Sequence, residues 1–233
     1  MKKTIRNFLR RAIGSRSLPF PNDRLRVVAE AIEYVSTMSR FDSPDAQDSL
    51  RGDYLEFGVW RGDTFAFACG QGEKWMPSMR FFAFDSFEGL PEPKGSDANS
   101  EFQQGQFCCS LEKFMENLKR KNISREKFET IEGWFDKSLT PETVALHKIH
   151  IASVSYIDCD LYESCVPVLE FLSPLIRQGS ILMFDDWFCF RSSPKLGVQR
   201  ATSEWLSRNT KFELIPWKTF GPYGKAFFVN FDI

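Results

Sequence analysis

The apolar segments of this sequence that are predicted to be β-strands run directly into acids, glycines or aromatic residues. These segments cover residues 54–57, 80–85, 127–131, 151–157 and 180–184. The acids at or next to four of them that we take as candidate site residues are Glu56, Asp85, Asp158, Asp185 and Asp186. Helical patterns separate the segments, which predicts an α/β fold whose sheet is mostly parallel, with helices on both faces. Because open α/β sheets bind ligands beyond the carboxyl ends of their strands, we expect these acids to share one rim.

The length of the chain and two segments near its end complete the predicted architecture. At 233 residues and 27.0 kDa the chain has the size of one α/β domain. Residues 212–215 and 226–229 predict a C-terminal antiparallel strand pair. We therefore expect a single domain over residues 21–233, preceded by a basic segment over residues 1–20.

The charge of the chain limits its partners. A net charge of −1 and a pI near 6.2 argue against nucleic acid as the main partner. The segment 1–20 is basic and carries Ile5, Leu9 and Ile13 at helical spacing. It is either an amphipathic helix that contacts an anionic membrane peripherally, or a mobile basic tail, or a helix packed on the domain. No apolar run suits a signal peptide, which predicts a cytoplasmic protein, at the inner face of a membrane in the first case.

The six cysteines follow no metal-binding pattern. They contain no CxxC pair and no zinc spacing, and several lie in apolar runs. Buried free thiols in a reducing compartment are favoured over disulfides.

The turn after the first strand contains glycines that suit a bound ligand. Glu56, Gly58, Gly62 and Thr64 lie in a segment that matches neither GxGxxG nor a P-loop. Glycine lets the backbone turn tightly and lets a ligand approach, and the following helix offers free N–H groups. A nucleotide-like ligand without a pyrophosphate fits this segment, and a plain strand–helix turn is the alternative.

Three further features extend this prediction along the rim. Asp85 ends the second strand, where an acid can accept both hydroxyls of a ribose. Gly133 and Trp134 follow the third strand, where the indole is either a wall for an adenine ring or part of the core. The long polar stretch from Glu88 to Phe107 predicts a lid that closes over the site.

Acidic residues at the ends of the fourth and fifth strands predict a metal site. Asp158, Asp160, Asp185 and Asp186 offer several carboxylates at neighbouring strand ends, and carboxylate oxygens suit Mg²⁺. Like charges this close are unfavourable unless a cation neutralises them. The alternative is that Asp160 and Asp186 cap the following helices.

Five motifs in this order resemble the macrocin O-methyltransferase family of class I methyltransferases. They are YLEFGVWRGDT, FFAFDSFEGLPEP, EGWFDKSL, YIDCDLYES and ILMFDDW. The resemblance implies a Rossmann-like fold, S-adenosylmethionine as methyl donor, a divalent cation such as Mg²⁺, and an acceptor with vicinal hydroxyls, typically a sugar of a natural product or glycan. It also implies residue roles. Glu56, Gly58, Gly62 and Thr64 would belong to the donor loop, Asp85 and Ser86 to the ribose site, Gly133 and Trp134 to the adenine site, and Asp158, Asp185 and Asp186 to the metal site.

The expected activity is O-methylation assisted by the metal, with Asp158 or Asp160 as the proton acceptor. Two alternatives stay open from the sequence: a nicotinamide-dependent oxidoreductase, although GxGxxG is missing, and a non-catalytic S-adenosylmethionine-binding scaffold. Whether the chain forms a homo-oligomer is not indicated by the sequence.

Overall fold

The computed structural model describes residues 23–42, 49–98 and 100–231, so the basic segment 1–20 and its predicted membrane contact lie outside the described residues. The helices are α1 (Asp23–Met38), α2 (Asp63–Trp75), α3 (Leu111–Arg120), α4 (Phe135–Ser138), α5 (Pro141–His147), α6 (Tyr162–Leu172) and α7 (Gly197–Arg208). The strands are β1 (Asp53–Phe57), β2 (Phe81–Asp85), β3 (Phe128–Glu132), β4 (Ala152–Ile157), β5 (Ile181–Phe184), β6 (Phe212–Phe220) and β7 (Gly224–Phe231).

The strands form one seven-stranded sheet in the order β3-β2-β1-β4-β5-β7-β6. Strands β1 to β5 pair in parallel, while β7 runs antiparallel to both β5 and β6. This arrangement confirms the predicted Rossmann-like fold with its C-terminal antiparallel pair. The strand order reverses between β1 and β4, so the crevice that such sheets use for ligands lies beside the ends of these two strands.

Two apolar layers hold the helices against the sheet. Helices α1, α2 and α3 cover one face, and α6 and α7 cover most of the other. Because side chains alternate along a strand, Tyr156 packs in the first layer and its neighbour Ile157 in the second. No helix in the described ranges is both long and apolar enough to span a bilayer.

The cysteines are free, as the sequence predicts, but one of them is not buried. Cys108 is exposed, whereas the other five are buried. Cys108 follows the long polar stretch after β2 and belongs to neither apolar layer, so the expectation of burial was wrong for this residue.

Candidate active site

The carboxyl ends of the first five strands meet at one rim, as their sequences predict. Backbone hydrogen bonds continue one residue past the ends of β1, β3, β4 and β5: Gly58 N to Phe84 O at 2.8 Å, Gly133 N to Asp85 O at 2.9 Å, Asp158 N to Phe57 O at 2.9 Å, and Asp185 N to Ile157 O at 2.9 Å. Because the ladder stays aligned, the residues that follow the strands are held in a row. The predicted site residues therefore lie at an edge of the sheet whose backbone is fixed by hydrogen bonds.

The turn between β1 and α2 needs two of its glycines. Gly58 has a φ of 84° and Gly62 a φ of 77°, both in the left-handed region. A Cβ atom on Gly58 would collide with the carbonyl oxygen of Asp158, so the ends of β1 and β4 approach each other closely. Thr64 lies half-buried in the first turn of α2. The sequence prediction of a tight turn at this point is consistent with these conformations.

Asp85 holds this turn in place. Its carboxylate accepts hydrogen bonds from Val59 N at 2.8 Å, Trp60 N at 3.2 Å and Phe87 N at 2.7 Å. Burial raises the pKa of Asp85, and these N–H groups oppose the increase by stabilising the charged form. The acid predicted to bind a ribose is thus also the group that connects the turn after β1 to the turn after β2.

Ser86 and Glu56 are both buried beside this turn. The Ser86 hydroxyl donates to Gly89 O at 3.1 Å and accepts from Glu88 N at 3.1 Å, which shapes the start of the long polar stretch. Glu56 accepts a hydrogen bond from the Tyr54 hydroxyl, and burial raises the pKa of Glu56 to about 8. Glu56 therefore stays largely protonated at neutral pH unless a positive group binds next to it.

Trp134 lies at the rim after β3 and is only partly buried. It belongs to neither apolar layer, whereas its neighbour Phe135 packs against the second. The Ser138 hydroxyl donates to the carbonyls of Gly133 and Trp134 and so fixes the turn between them. Trp134 thus lies at the rim after β3, outside both apolar layers.

Three carboxylates form a compact group at the ends of β4 and β5. One oxygen each of Asp158, Asp160 and Asp186 lies within 4.8 Å of the others. Burial raises the pKa of each of them well above its ordinary value, and charge repulsion from neighbouring aspartates raises it further. Asp186 also accepts a hydrogen bond from Asp160 N at 3.0 Å, which fixes the two residues relative to each other.

Asp185 is close to this group but has other partners. Its carboxylate accepts hydrogen bonds from Arg24 Nη2 at 2.7 Å and from the Tyr156 hydroxyl at 2.6 Å. Asp185 and Asp186 both lie in the turn that follows β5, and the two carboxylates have different partners. In the structure Asp160 thus belongs to the compact group of acids, whereas Asp185 is hydrogen-bonded to Arg24 of α1.

The donor set fits a hard divalent cation. Three buried or partly buried carboxylates offer only oxygen ligands, and no hydrogen-bond donor from the described residues reaches the carboxylate of Asp158. A cation would offset the repulsion that raises their pKa values. The capping alternative is not supported, because the N-cap residue of α6 is Leu161, without a side-chain cap, and that of α7 is Leu196.

A residue of the long polar stretch caps both helices instead. Asp97 is 1% exposed, and its carboxylate accepts hydrogen bonds from Tyr162 N at 2.6 Å and Gly197 N at 3.4 Å. These are the first residues of α6 and α7. Asp97 therefore anchors the predicted lid to the two segments that follow the acidic group. The sequence gives no signal for this role, since Asp97 lies in a polar stretch without periodicity.

Replacing Asp97 by Asn is expected to destabilise the protein by about 1–3 kcal/mol, because the amide nitrogen cannot accept a hydrogen bond and leaves a buried N–H unpaired. Urea denaturation measures this loss, and hydrogen exchange should increase along residues 88–107. Asp136→Asn changes an exposed aspartate of α4 and should shift stability by less than about 0.5 kcal/mol. Equal stability of the two variants would contradict the anchoring role.

The chain is similar in sequence to O-methyltransferases. A family model described as macrocin-O-methyltransferase (TylF) matches residues 24–207. An 8-demethyl-8-(2,3-dimethoxy-alpha-L-rhamnosyl)-tetracenomycin-C 4'-O-methyltransferase of Streptomyces olivaceus is 29% identical over 151 residues, covering 60% of this chain and 54% of that protein. A mycinamicin III 3''-O-methyltransferase of Micromonospora griseorubida is 26% identical over 150 residues, covering 60% and 57%. The matched region thus spans little more than half the length of these relatives.

Solved structures share the fold. The O-methyltransferase NovP has a TM-score of 0.70 at 22% identity, covering 88% of this chain and 78% of that one. An O-methyltransferase from Bacillus cereus, solved as a complex with SAH, has a TM-score of 0.53 at 13% identity, covering 95% and 96%. At these identities the likeness concerns the fold.

Proposed function

Because the chain belongs to the macrocin-O-methyltransferase family, whose model covers residues 24–207, we propose that it transfers a methyl group from S-adenosylmethionine to a hydroxyl of a sugar or another vicinal diol, assisted by a divalent cation. The observation that carries this proposal is the group Asp158, Asp160 and Asp186, which lies beside the glycine turn after β1. A donor site and an acidic site next to each other are what metal-assisted methyl transfer requires. The family favours this activity over the oxidoreductase alternative.

The order of the strands supports a position for the donor. Along the rim, the ends of β3, β2, β1 and β4 present Trp134, Asp85, Gly58 and Asp158 in turn. An adenine beside Trp134 and a ribose near Asp85 would direct the amino-acid end of S-adenosylmethionine toward β1 and β4. The methyl group then faces the acids at β4 and β5. Gly58 allows this path because a side chain there would fill the space between β1 and β4.

The acids at β4 and β5 would bind and activate the acceptor. Asp158 and Asp186, with Asp160 or Asp185 as a further ligand, would hold a divalent cation, whose charge would lower the pKa of an acceptor hydroxyl. Asp158 or Asp160 accepts the hydroxyl proton. The acceptor oxygen forms its bond to the methyl carbon while the bond from that carbon to sulfur breaks, which leaves S-adenosylhomocysteine. Loop residues 88–107, anchored through Asp97, exclude water from this step.

The relatives support a sugar as acceptor. One relative is named for a rhamnosyl tetracenomycin and another for mycinamicin III. A structural neighbour, CalS11, is described as a TDP-rhamnose 3'-O-methyltransferase, with a TM-score of 0.59. A sugar also offers the vicinal hydroxyls that a cation can bind together.

A methyl-transfer screen tests the proposal. The full chain is incubated with methyl-labelled S-adenosylmethionine and a panel of nucleotide-linked deoxysugars, glycosylated natural products, glycolipids and catechols. We expect transfer to an acceptor with vicinal hydroxyls, loss of transfer in EDTA and recovery with Mg²⁺. Transfer that persists in EDTA would contradict the role of the cation. Binding of the donor without transfer to any member of the panel would favour the scaffold alternative.

A further inference from the structure

We propose that Arg24 binds the carboxylate of the methionine moiety of the donor, an inference that rests on the proposed function and assigns one more binding residue to that site. Arg24 lies in the first turn of α1, which packs on the face of the sheet that carries Glu56 and Tyr156. From there the side chain reaches the rim at β5 and bonds Asp185 through Nη2. A residue near the start of the described chain thus reaches the centre of the candidate site.

The guanidinium retains donors for a ligand. Only Nη2 is paired, at 2.7 Å from Asp185 Oδ2, and the described residues provide no acceptor for Nη1 or Nε. The Arg24 side chain is 33% exposed, compared with 12% for Asp185. One edge of the guanidinium is therefore fixed by Asp185 while the remaining N–H groups stay accessible.

Arg24 also supplies positive charge to an acidic site. Burial is the largest effect on the carboxyl groups of Glu56, Asp158 and Asp185 and raises their pKa values, and the charge of Arg24 opposes this increase at all three. Among the described residues, the guanidinium of Arg24 is the positive group that acts on these carboxyl groups. Positive ligand groups are favoured near the acids, and a negative ligand group is favoured beside Arg24.

The amino-acid end of S-adenosylmethionine carries both a positive group and a negative group. The path along the rim places its amino acid between β1 and β4, beside Glu56 and Asp158. Its ammonium group matches these acids, but its carboxylate would be repelled by them. A guanidinium presents N–H donors in a planar fork that fits a carboxylate, and such charged hydrogen bonds are strong. Arg24 is placed to make that bond while Asp185 holds it in position.

A purely structural role is the competing explanation. Arg24 would then only link α1 to Asp185, and its loss would weaken every ligand or the fold as a whole. The two explanations differ in which part of the donor is affected. A binding role concerns the amino-acid end alone, whereas a structural role does not distinguish between the two ends of the molecule.

Isothermal titration with two ligands separates these cases. S-Adenosylhomocysteine carries the amino-acid end, and 5′-methylthioadenosine lacks it. We expect Arg24→Gln to weaken S-adenosylhomocysteine binding about 10- to 100-fold and to change 5′-methylthioadenosine binding by less than about twofold. Arg24→Lys should recover part of the lost affinity, since lysine keeps the positive charge but lacks the planar set of N–H donors. Arg26→Gln is the matched control, because Arg26 is exposed on the same helix and pairs with Glu30 rather than with an acid of the site.

Each outcome decides the question. If Arg24→Gln weakens both ligands equally, or neither, the assignment to the carboxylate is overturned. If the wild-type chain binds both ligands with the same affinity, this inference fails while the proposed function stands. If the wild-type chain binds neither ligand, the proposed function and this inference fail together. Binding of 5′-methylthioadenosine also shows that the variant is folded.

Discussion

Replacing Asp158 by Asn is expected to lower methyl transfer about 100- to 10,000-fold while leaving S-adenosylhomocysteine affinity within a few-fold of wild type. Asp158 combines two roles in the proposed reaction, as a ligand for the cation and as a candidate proton acceptor. Asn keeps the size of the side chain but cannot accept the proton and lacks the charge. Single-turnover kinetics at saturating donor measure the loss, and titration measures the affinity.

The same substitution is expected to stabilise the protein in EDTA at neutral pH. Burial and charge repulsion raise the pKa of Asp158 above its ordinary value, so the folded state holds its proton more tightly than the unfolded chain. The stability of the wild type therefore falls as the pH rises from the unfolded pKa toward the folded one. Asn removes this penalty, so the melting temperature should exceed that of wild type at pH 7, and the gap should close toward about pH 4.

Asp136→Asn serves as the control for both measurements, since Asp136 is exposed on α4 and is not one of the grouped acids. It should leave turnover and melting temperature close to wild type. Full turnover in Asp158→Asn would remove Asp158 from the proposed chemistry. A lower melting temperature than wild type in EDTA would show that the acids do not repel one another as the structure indicates.

The sheet and its rim could be predicted from the sequence because both depend on local patterns. A short apolar run followed by an acid is visible in the residues themselves, as at Phe84–Asp85 and Phe184–Asp185. Parallel strands share one direction, so their carboxyl ends must meet at a common edge. The approach of Asp158 to Asp186 follows from this rule without knowledge of any long-range contact.

The partners of individual side chains could not be predicted in the same way. Arg24 and Asp185 are separated by 161 positions, and their contact depends on how α1 packs across the sheet. Asp97 meets Tyr162 and Gly197 for the same kind of reason.

Local signals were also missed at two places in the fold. The Thr140-Pro141 pair begins α5, where the Thr140 hydroxyl accepts a hydrogen bond from Thr143 N at 3.2 Å, and this N-cap signal is readable in the sequence. Strand β6 runs to Phe220, beyond the predicted end at Ile215. Pro216 suggests an end there because it lacks an N–H, but β6 is an edge strand and a shift of register after Pro216 accommodates it.

Replacing Gly58 by Ala is expected to have the largest effect on stability, a loss of more than about 3 kcal/mol together with loss of S-adenosylhomocysteine binding. Two costs add at this position. A φ of 84° is unfavourable for a residue with a Cβ atom, by roughly 1–2 kcal/mol. The new Cβ atom would also collide with the carbonyl oxygen of Asp158, a backbone atom that cannot move without separating β1 from β4. That separation would also displace the acids from the glycine turn.

Substitutions at two other glycines separate the backbone contribution from the steric collision. Gly221 has a φ of 54°, and an added methyl group would have no other atom within 4 Å, so Gly221→Ala should lose only the backbone contribution, about 1–2 kcal/mol. Gly70 lies within α2 and also has open space, so Gly70→Ala should be neutral or should stabilise the helix by up to about 1 kcal/mol. Urea denaturation of the three variants gives the comparison. A loss in Gly58→Ala no greater than that in Gly221→Ala, with donor affinity retained, would mean that β1 and β4 do not approach as closely as the site requires.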